Sequence, residues 1–372
     1  MTLIKVKSRG TDNVSGRRNL IINGAMQVAQ RATTTTGQGY QTVDRFKTNF
    51  SGPALTTTQH TLSTTDTPYS LGFRKSYQVH VTDPQTPNAA VDYAEIEYRV
   101  EAQDIATSGW NYTSASSKIT LSFWVLSTVA GTYSVYMRDL DGNHGYSFDY
   151  TVTANTWKKV THTVPGNANL VFNNDNGPGL VMYFTLYYGT NYTATKTDEA
   201  WAVHSSTNQV GDYAQNILAT DESKFEITGV QLEVGDSASD FDHRLFAEEL
   251  RLCQRYFHNV TGAGHPFPVD GAYARYITHS QDANGTKWYY EYPVEMRATP
   301  TLTLNNISSS TIQHFNYEAQ TGYAMTGASL GESGRRHAHI GFTFASGISV
   351  GNTVSWRWLN NPNASWDFNS EL

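Results

Sequence analysis

The chain has 372 residues, a length that suits roughly two domains of ordinary size. Hydrophobic residues make up 39% and charged residues only 16%, which excludes a disordered protein and favours sheets with hydroxyl- and amide-rich surfaces. The net charge of −7 gives no basic footprint for nucleic acid, and no apolar run approaches the ~20 residues that span a bilayer. We therefore expect neither nucleic acid nor membrane insertion.

The first eighteen residues are predicted to form a separate arm. Basic side chains give this segment a positive bias, and Gly10, Asn13 and Gly16 disfavour regular packing. We expect an attachment arm over residues 1–18 that docks on another component, and a frayed terminus without function is the alternative. The candidate attachment residues are Lys5, Lys7, Arg9, Arg17 and Arg18.

Residues 19–236 show many short alternating segments that are separated by turn residues. Asn19–Gly24 is predicted to be a short strand with a turn, and Phe225–Val234 a strand with a bulge at Gly229. Many short strands with hardly any helix predict a jelly-roll β-sandwich. Other predicted strands include residues 77–81, 93–100, 119–125, 133–137 and 180–188, the last covered on both faces.

Residues 237–258 carry the strongest helix signal, and they are predicted to connect two domains. Ser239 or Asp240 is expected to cap the first turn of this helix. Cys253 is the single cysteine, which excludes an internal disulfide, and we expect a buried structural thiol. The predicted buried stripe consists of Phe246, Leu250, Cys253 and Phe257.

Residues 259–372 are predicted to form a second, smaller β-sandwich domain. Asn284-Gly285 predicts a hairpin turn between two strands, and the glycine-rich segment Gly322–Gly334 predicts a loop. The fold class is therefore all-β, with a connecting amphipathic helix. The strands predicted here lie around residues 273–277, 287–292, 301–304, 337–344 and 353–359.

Several of these segments resemble known families. Asn19–Gly24, Lys118–Val125 and Ile227–Gly235 resemble segments of jelly-roll carbohydrate-binding modules. A longer set resembles tail-fibre-like virion proteins of tailed phages, notably phages of marine bacteria. The resemblance implies a virion location and a homotrimer, because most phage fibres are trimers. The longer set comprises residues 17–31, 43–46, 231–235, 248–257 and 292–301.

No metal or cofactor is expected. Many sugar-binding jelly rolls have a calcium-ligating glutamate soon after the Asn-Gly turn, and the nearby positions here are Met26 and Gln27. His337 and His339 place two imidazoles on one face of a predicted strand, but the sequence identifies no third ligand. We therefore interpret both as ordinary polar histidines.

Carboxylate pairs are the only hint of catalysis in a sequence without phosphate-loop, nucleophile-elbow or zinc-helix motifs. Glu95 and Glu97 share a strand face, and Asp139 and Asp141 flank a turn. Two residues apart along a strand, carboxylates point the same way and do not flank a glycosidic bond. We predict that the protein is not an enzyme, and a polysaccharide depolymerase that uses Glu95 and Glu97 is an alternative.

Aromatic side chains are the better clue to function. The apolar C–H face of a sugar stacks on Trp or Tyr, and its hydroxyl groups bind Asn, Gln, Asp and Thr. The chain has 23 Tyr and 8 Trp among many such polar residues. Four aromatic residues in polar or glycine-rich stretches are predicted to be exposed, and plain packing or a subunit contact is the alternative for each. These glycan-binding candidates are Trp110, Tyr112, Trp201 and Tyr323.

The sequence thus predicts a phage tail fibre or spike that binds a host-surface glycan without catalysis. Its expected partners are a host cell-surface glycan and, through the arm, other tail or capsid proteins of the particle. A decoration protein of capsid or tail with no receptor role is the alternative that keeps the virion location.

Overall fold

The computed structural model describes residues 18–85, 89–194, 198–261, 273–282, 285–305, 312–316, 321–344, 349–358 and 365–372. Strands far outnumber helices among them, which confirms the all-β class. The chain divides into two compact units between Glu249 and Leu250, and Leu372 groups with the first unit. The boundaries predicted at residues 236 and 258 lie on either side of this division and stay predictions.

Strands of the first unit form two six-stranded antiparallel sheets. In chain order they are β1 (Thr34–Thr35), β2 (Phe46–Ser51), β3 (Ala54–Thr61), β4 (Lys75–Asp83), β5 (Tyr93–Glu101), β6 (Lys118–Ser127), β7 (Gly131–Asp139), β8 (His144–Val152), β9 (Lys158–Pro165), β10 (Pro178–Tyr188), β11 (Ala202–Val203) and β12 (Lys224–Val234). The first sheet has the order β1-β3-β4-β12-β6-β9, and the second has the order β11-β8-β7-β10-β5-β2. Helix α1 (Ala102–Ala106) follows β5, and short 3₁₀ turns occupy Thr67–Leu71 and Ile217–Ala219.

The core of the first unit lies between the two sheets. Successive side chains of a strand point to opposite faces, so the apolar members of each alternating segment meet in one layer. Phe123 on β6 and Phe184 on β10 contact edge to face across this layer, with ring centroids 5.0 Å apart. The run Leu180–Tyr188 is buried along most of its length, as the sequence predicted.

The prediction of a strand over Asn19–Gly24 is wrong, although this segment does run beside β12. The amide of Leu20 donates to the carbonyl of Leu232 (2.9 Å), but the side chain of Asn19 also bonds β12 and replaces a regular ladder. The predicted bulge in β12 is confirmed, because its pairing with β6 shifts between Thr228 and Gln231. Gly229 allows this bulge with φ +62°.

Helix α2 (Phe246–Gln254) begins later than predicted, so neither Ser239 nor Asp240 caps it. Ser239 instead donates its hydroxyl and its amide to the carboxylate of Glu233, both at 2.6 Å. Glu248 reaches back to the amide of Leu245 (3.2 Å) and takes the capping role.

The predicted apolar stripe of α2 is wrong at both ends. Phe246 is 55% exposed, and Phe257 belongs to the strand that follows the helix. Cys253 is buried and takes part in no disulfide bond, as expected. The helix also buries Glu249, whose carboxylate accepts the amide of Asn23 at 2.6 Å. The hydrogen bond from Asn23 to Glu249 thus takes the place of the apolar contact that the pattern predicted for Phe246.

Strands of the second unit form a closed six-stranded barrel and a three-stranded sheet. They are β13 (Phe257–Thr261), β14 (Tyr273–Asp282), β15 (Gly285–Glu291), β16 (Thr301–Asn305), β17 (Ile312–Asn316), β18 (Thr321–Ser333), β19 (His337–Phe344), β20 (Thr353–Trp358) and β21 (Ser365–Asn369). The barrel has the order β14-β15-β19-β18-β17-β20, and the sheet has the order β13-β21-β16. The barrel is more closed than the small sandwich that the sequence predicted.

The prediction of a loop over Gly322–Gly334 is wrong, because this segment forms most of the 13-residue strand β18. Pairing with β17 and β19 holds the strand, and Met325 is buried in the core of the unit. The predicted hairpin joins β14 to β15, while Asn284 itself lies outside the described residues. Neither helix in the part of the chain that the structure describes is long and apolar enough to cross a membrane.

Candidate functional site

The outer face of the second sheet carries a group of polar and aromatic side chains that point away from the core. Alternation in β5 buries Ala94, Ile96 and Tyr98 in the core, which leaves the intervening residues on the opposite face. Strands β2, β7 and β10 contribute side chains to this same face. We call it the Tyr183 face and define it by Lys47, Asn49, Glu95, Glu97, Arg99, Tyr136, Arg138 and Tyr183.

Tyr183 lies at the centre of this face. Its strand register places it opposite Glu97 on β5 and opposite Tyr136 on β7. The Tyr183 ring is half-buried, and among the described residues no hydrogen bond involves its hydroxyl group. Burial raises the pKa of Tyr183, so the phenol keeps its proton at neutral pH. The side chain therefore offers an apolar ring and an available hydroxyl to a ligand.

Tyr136 supports Tyr183 from one side. The two rings stack with centroids 6.0 Å apart and an angle of 28° between their planes. Tyr136 is 3% exposed, and its hydroxyl lies 2.6 Å from Nδ1 of His204. A Cβ atom at Gly145 would lie 2.0 Å from that hydroxyl, so only glycine leaves room for the ring. Tyr136 is thus held in place by Tyr183, His204 and Gly145, which lie on three separate segments of the chain.

Glu97 lies beside Tyr183 and is held by three partners. Its Oε2 accepts a hydrogen bond from Nδ2 of Asn49 (2.8 Å) and lies 3.0 Å from Nζ of Lys47. Nε of Arg99 donates to its Oε1. The Glu97 side chain is only 3% exposed, so these partners offset the cost of removing its charge from water.

Glu95 lies two residues before Glu97 on the same strand and is also buried. Nδ2 of Asn49 donates to it (2.9 Å), and the hydroxyl of Tyr188 donates to its other oxygen. Burial raises the pKa of Glu95 to about 7, and the charge of Glu97 adds to the increase, although both hydrogen bonds oppose it. Because one amide binds both carboxylates, the pair points to one side of β5.

The second predicted carboxylate pair holds a turn together. Asp139 accepts hydrogen bonds from the backbone amides of Gly142 (2.8 Å) and Val171 (3.0 Å). Asp141 accepts two hydrogen bonds from Asn173. These contacts give both residues structural partners.

The structure places the four predicted glycan-binding aromatics elsewhere than the Tyr183 face. The prediction that Trp110 is exposed is wrong, because its ring is 3% exposed and its Nε1 donates to the carbonyl of Ser117 (3.2 Å). Tyr112 lies close to Trp110 but is half-buried, edge to face on Phe172 at 4.9 Å. Their loop closes over the end of the core instead of projecting from it.

Trp201 and Tyr323 are also half-buried. Nε1 of Trp201 donates to the carbonyl of Pro165 (2.8 Å), and its ring packs 5.3 Å from Tyr146. Tyr323 lies in strand β18 and packs against the core of the second unit. Glycan binding by Tyr112, Trp201 and Tyr323 stays a prediction.

Of the predicted attachment residues, only Arg18 lies within the described residues. Its guanidinium is 3.3 Å from the carboxylate of Asp242, and its side chain is 47% exposed. Lys5, Lys7, Arg9 and Arg17 lie outside the described residues.

In the second unit, the two predicted histidines flank an exposed aromatic ring. Tyr289 is 53% exposed, and its ring centroid lies 5.1 Å from that of His337 and 5.4 Å from that of His339. We call these three side chains the Tyr289 patch. No hydrogen bond of these side chains is found in the described part of the chain. No group of three or more metal-ligating side chains is found there either.

Sequence reasoning missed Tyr183 and Tyr136 because both lie inside strands, where an aromatic residue was expected in the core. A usable signal is present in the strand β7, where Tyr136 and Arg138 share a face that Val135 and Met137 do not. A tyrosine in phase with arginine marks the outer side of a strand. In β10 the signal is weaker, because apolar residues occupy both faces.

No protein-family model and no curated protein matches the chain. Among solved structures, it is similar to a family 61 carbohydrate-binding module in complex with β-1,4-galactotriose, at 10% identity and a TM-score of 0.30 over 59% of this chain and 99% of that one. It is also similar to the apo form of a cyclase from Fischerella sp., at 9% identity and a TM-score of 0.33 over 60% and 98%. A xylan-binding domain of family 22 from Paenibacillus barcinonensis matches at 10% identity and a TM-score of 0.27 over 59% and 96%. Likenesses this distant carry no argument about function.

Proposed function

We propose that the protein binds a glycan on the Tyr183 face without catalysing a reaction. One observation carries this proposal: a half-buried tyrosine ring with an unbonded hydroxyl lies at the centre of fixed polar side chains. A sugar ring can stack on Tyr183 while its hydroxyl groups bind the Tyr183 hydroxyl and the partly exposed guanidinium groups of Arg99 and Arg138. Because the partners of Glu97 and Tyr136 already hold these side chains, little ordering is needed on binding.

We also propose, from the sequence resemblance, that the chain is a tail fibre or spike of a bacteriophage particle. In this proposal residues 1–18 attach it to other virion proteins, and a homotrimer presents three copies of the Tyr183 face to a host-surface glycan. Linked copies raise the apparent affinity by a factor on the order of 10² or more, which suits weak single sites. A decoration protein of capsid or tail is the alternative role at the same location.

A polysaccharide depolymerase is the second candidate, and one observation favours it. The carboxyl group of Glu95, with a pKa of about 7, is able to act as a general acid near neutral pH. Against it stands the arrangement of Glu95 and Glu97, which share Asn49 and point to one side of their strand. Glycosidases instead place their two carboxylates on opposite sides of the bond that is cut.

The test measures binding and chain shortening together on a panel of host-surface polysaccharides. We expect binding without shortening, and we expect Tyr183→Ala to weaken it by roughly tenfold or more because the stacking ring is lost. Tyr183→Phe keeps the ring and should retain most of the affinity. Tyr289→Ala is the matched control on the other unit and should bind as the wild type does.

Two outcomes contradict this proposal. Unchanged binding by a folded Tyr183→Ala variant would show that the glycan binds elsewhere. Shortening that Glu95→Gln abolishes would make the protein a depolymerase. For the virion role, a deletion of residues 1–18 should give a folded protein that no longer joins the particle, and normal incorporation would contradict the attachment role.

A further inference from the structure

Basic side chains outnumber ionised carboxylates on the Tyr183 face. Lys47 and Arg99 both pair with Glu97, so two cations share one carboxylate. Arg138 forms no ion pair within the described residues, and its only recorded side-chain hydrogen bond joins Nη2 to Oδ1 of Asn143 (2.9 Å). Its Nε is buried and has no partner. Arg138 is half-buried, so the rest of its guanidinium group keeps a positive charge at the surface that no carboxylate in the described residues neutralises.

The two guanidinium groups lie on either side of the strand that carries Tyr183. Val181 pairs with Arg99 on β5 and with Arg138 on β7. The Cα atoms of the two arginines are therefore two strand spacings apart, roughly 10 Å. Both arginines act on the Tyr183 hydroxyl. Burial is the main cause that raises its pKa, the charges of Glu97 and Glu95 add to the increase, and both arginine charges lower it. A ligand that stacks on Tyr183 therefore lies within reach of two positive charges.

Glu95 does not cancel this positive charge at neutral pH. Because burial raises its pKa to about 7, its carboxyl group is largely protonated below neutrality and only partly charged at pH 7. The negative charge of the whole chain, −7, acts over longer distances, where salt screens it beyond about 8 Å at physiological ionic strength. The local balance on the Tyr183 face therefore decides which ligand it favours.

We propose that the glycan on the Tyr183 face is anionic and carries carboxylate or sulfate groups that Arg138 and Arg99 bind. The proposal rests on the proposed function, because it concerns the same site. Guanidinium groups bind carboxylate and sulfate oxygens through paired N–H donors, which a neutral sugar cannot match. Arg138 is the stronger candidate for direct contact, since Arg99 is already engaged with Glu97.

The experiment compares short oligosaccharides of three galactan-type polymers by calorimetric titration of the full chain. One polymer is neutral galactan, one is polygalacturonate, which carries carboxylates, and one is a sulfated galactan. We expect at least one anionic oligosaccharide to bind roughly tenfold or more tighter than the neutral one, with an affinity that falls as salt rises. The two anionic ligands distinguish carboxylate from sulfate as the recognised group.

Variants assign the effect to Arg138. Arg138→Gln should weaken anionic binding by roughly tenfold and leave neutral binding within about twofold. Arg138→Lys keeps the charge but loses the fork, so it should fall between Arg138→Gln and the wild type. Lys159→Gln removes one positive charge from an exposed site on the other sheet and should change nothing. Thermal unfolding checks that each variant is folded, and Arg138→Lys serves if Arg138→Gln is not.

The outcomes separate this inference from the proposed function. Equal binding of neutral and anionic ligands, weakened by Tyr183→Ala and not by Arg138→Gln, would overturn the charge preference and leave glycan binding intact. Equal weakening by Lys159→Gln and Arg138→Gln would show unspecific attraction of polyanions and would also overturn it. Binding that ignores Tyr183→Ala would remove the site itself.

Discussion

The Tyr183 face and the Tyr289 patch both present an aromatic ring among polar side chains, but they hold the ring differently. Tyr183 is half-buried, stacked on Tyr136 and surrounded by groups with hydrogen-bond or ionic partners. Tyr289 is 53% exposed and contacts two histidines whose side chains form no hydrogen bond in the described part of the chain. An exposed ring is more accessible to a ligand, whereas a ring held by its neighbours loses less side-chain freedom when a ligand binds.

The two units also differ in how they bury titratable groups. The first unit buries the carboxyl groups of Glu95 and Glu97 beside polar partners. The second buries His258, whose Nδ1 has no partner and whose Nε2 contacts the hydroxyl of Tyr290. Burial without a charged partner keeps His258 neutral, while shared hydrogen bonds keep the carboxylates in place. Four predictions test these differences, in order of decreasing effect.

Acid should destabilise the second unit through His258. Burial lowers its pKa to about 4 from 6.5, so the unfolded chain binds the proton first. The free energy of unfolding therefore keeps its full value above pH 6.5. It decreases as the pH falls from 6.5 towards 4, by about 3 kcal/mol in total. His258→Gln keeps a hydrogen-bonding group and should flatten this part of the unfolding profile. If His258→Gln and the wild type show the same dependence of unfolding free energy on pH, the histidine is not buried in its neutral form.

A rise of pH from acid towards neutrality should destabilise the first unit through Glu95, which is the opposite sense to His258. Its pKa is raised to about 7 from 4.5, so the folded chain holds the proton longer, and stability is lost as the pH rises between these values. The loss approaches about 3 kcal/mol, and Glu95→Gln should remove it. The measurement is the difference in unfolding free energy between variant and wild type across this range. A constant difference would mean that the pKa of Glu95 is the same in the folded and the unfolded chain.

Asn49→Leu should lower the free energy of unfolding by about 2 kcal/mol, because it leaves two buried carboxyl groups without a shared donor. Asn173→Leu is the matched control, since it removes an amide that bonds the carboxylate of Asp141 at the same 2.9 Å in an exposed site. We expect that control to cost less than about 0.5 kcal/mol in chemical denaturation. Similar losses for both variants would show that burial adds nothing at Asn49.

Tyr289→Ala should change the free energy of unfolding by no more than about 0.5 kcal/mol, because the residue is 53% exposed and its ring packs beside the half-buried side chains of His337 and His339. Thermal melts of this variant and of Tyr136→Ala give the comparison directly. A large loss at Tyr289 would show that the patch is a structural cluster and not an open surface.

Period-2 alternation predicted most strands of the first unit, because one face of each strand is buried and the pattern is regular. The same reasoning failed for Gly322–Gly334, where glycines suggested a loop although pairing with two neighbours makes a strand. The helical spacing failed at Phe246, because the helix buries the hydrogen-bonded Glu249 instead. The burial of Glu249 depends on Asn23, which is 226 positions away in the sequence and so lies outside any local pattern.

The candidate site was less predictable than the fold. Glu95 and Glu97 were correctly placed on one strand face, but their link through Asn49 joins residues more than forty positions apart. Trp110 was expected to be exposed because its loop is polar, but its indole Nε1 donates a hydrogen bond to a backbone carbonyl and its ring is buried. Tyr183 became a candidate only when the register of three strands was known.

Gly145 has a practical consequence for anyone who wishes to change what the protein binds. It has no side chain that could contact a ligand, yet it leaves the space in which the Tyr136 hydroxyl lies. A library that randomises the other side chains of the Tyr183 face should therefore keep Tyr136 constant, together with this glycine and His204. Variants selected from such a library would then differ in specificity while sharing one rigid backing for the ring.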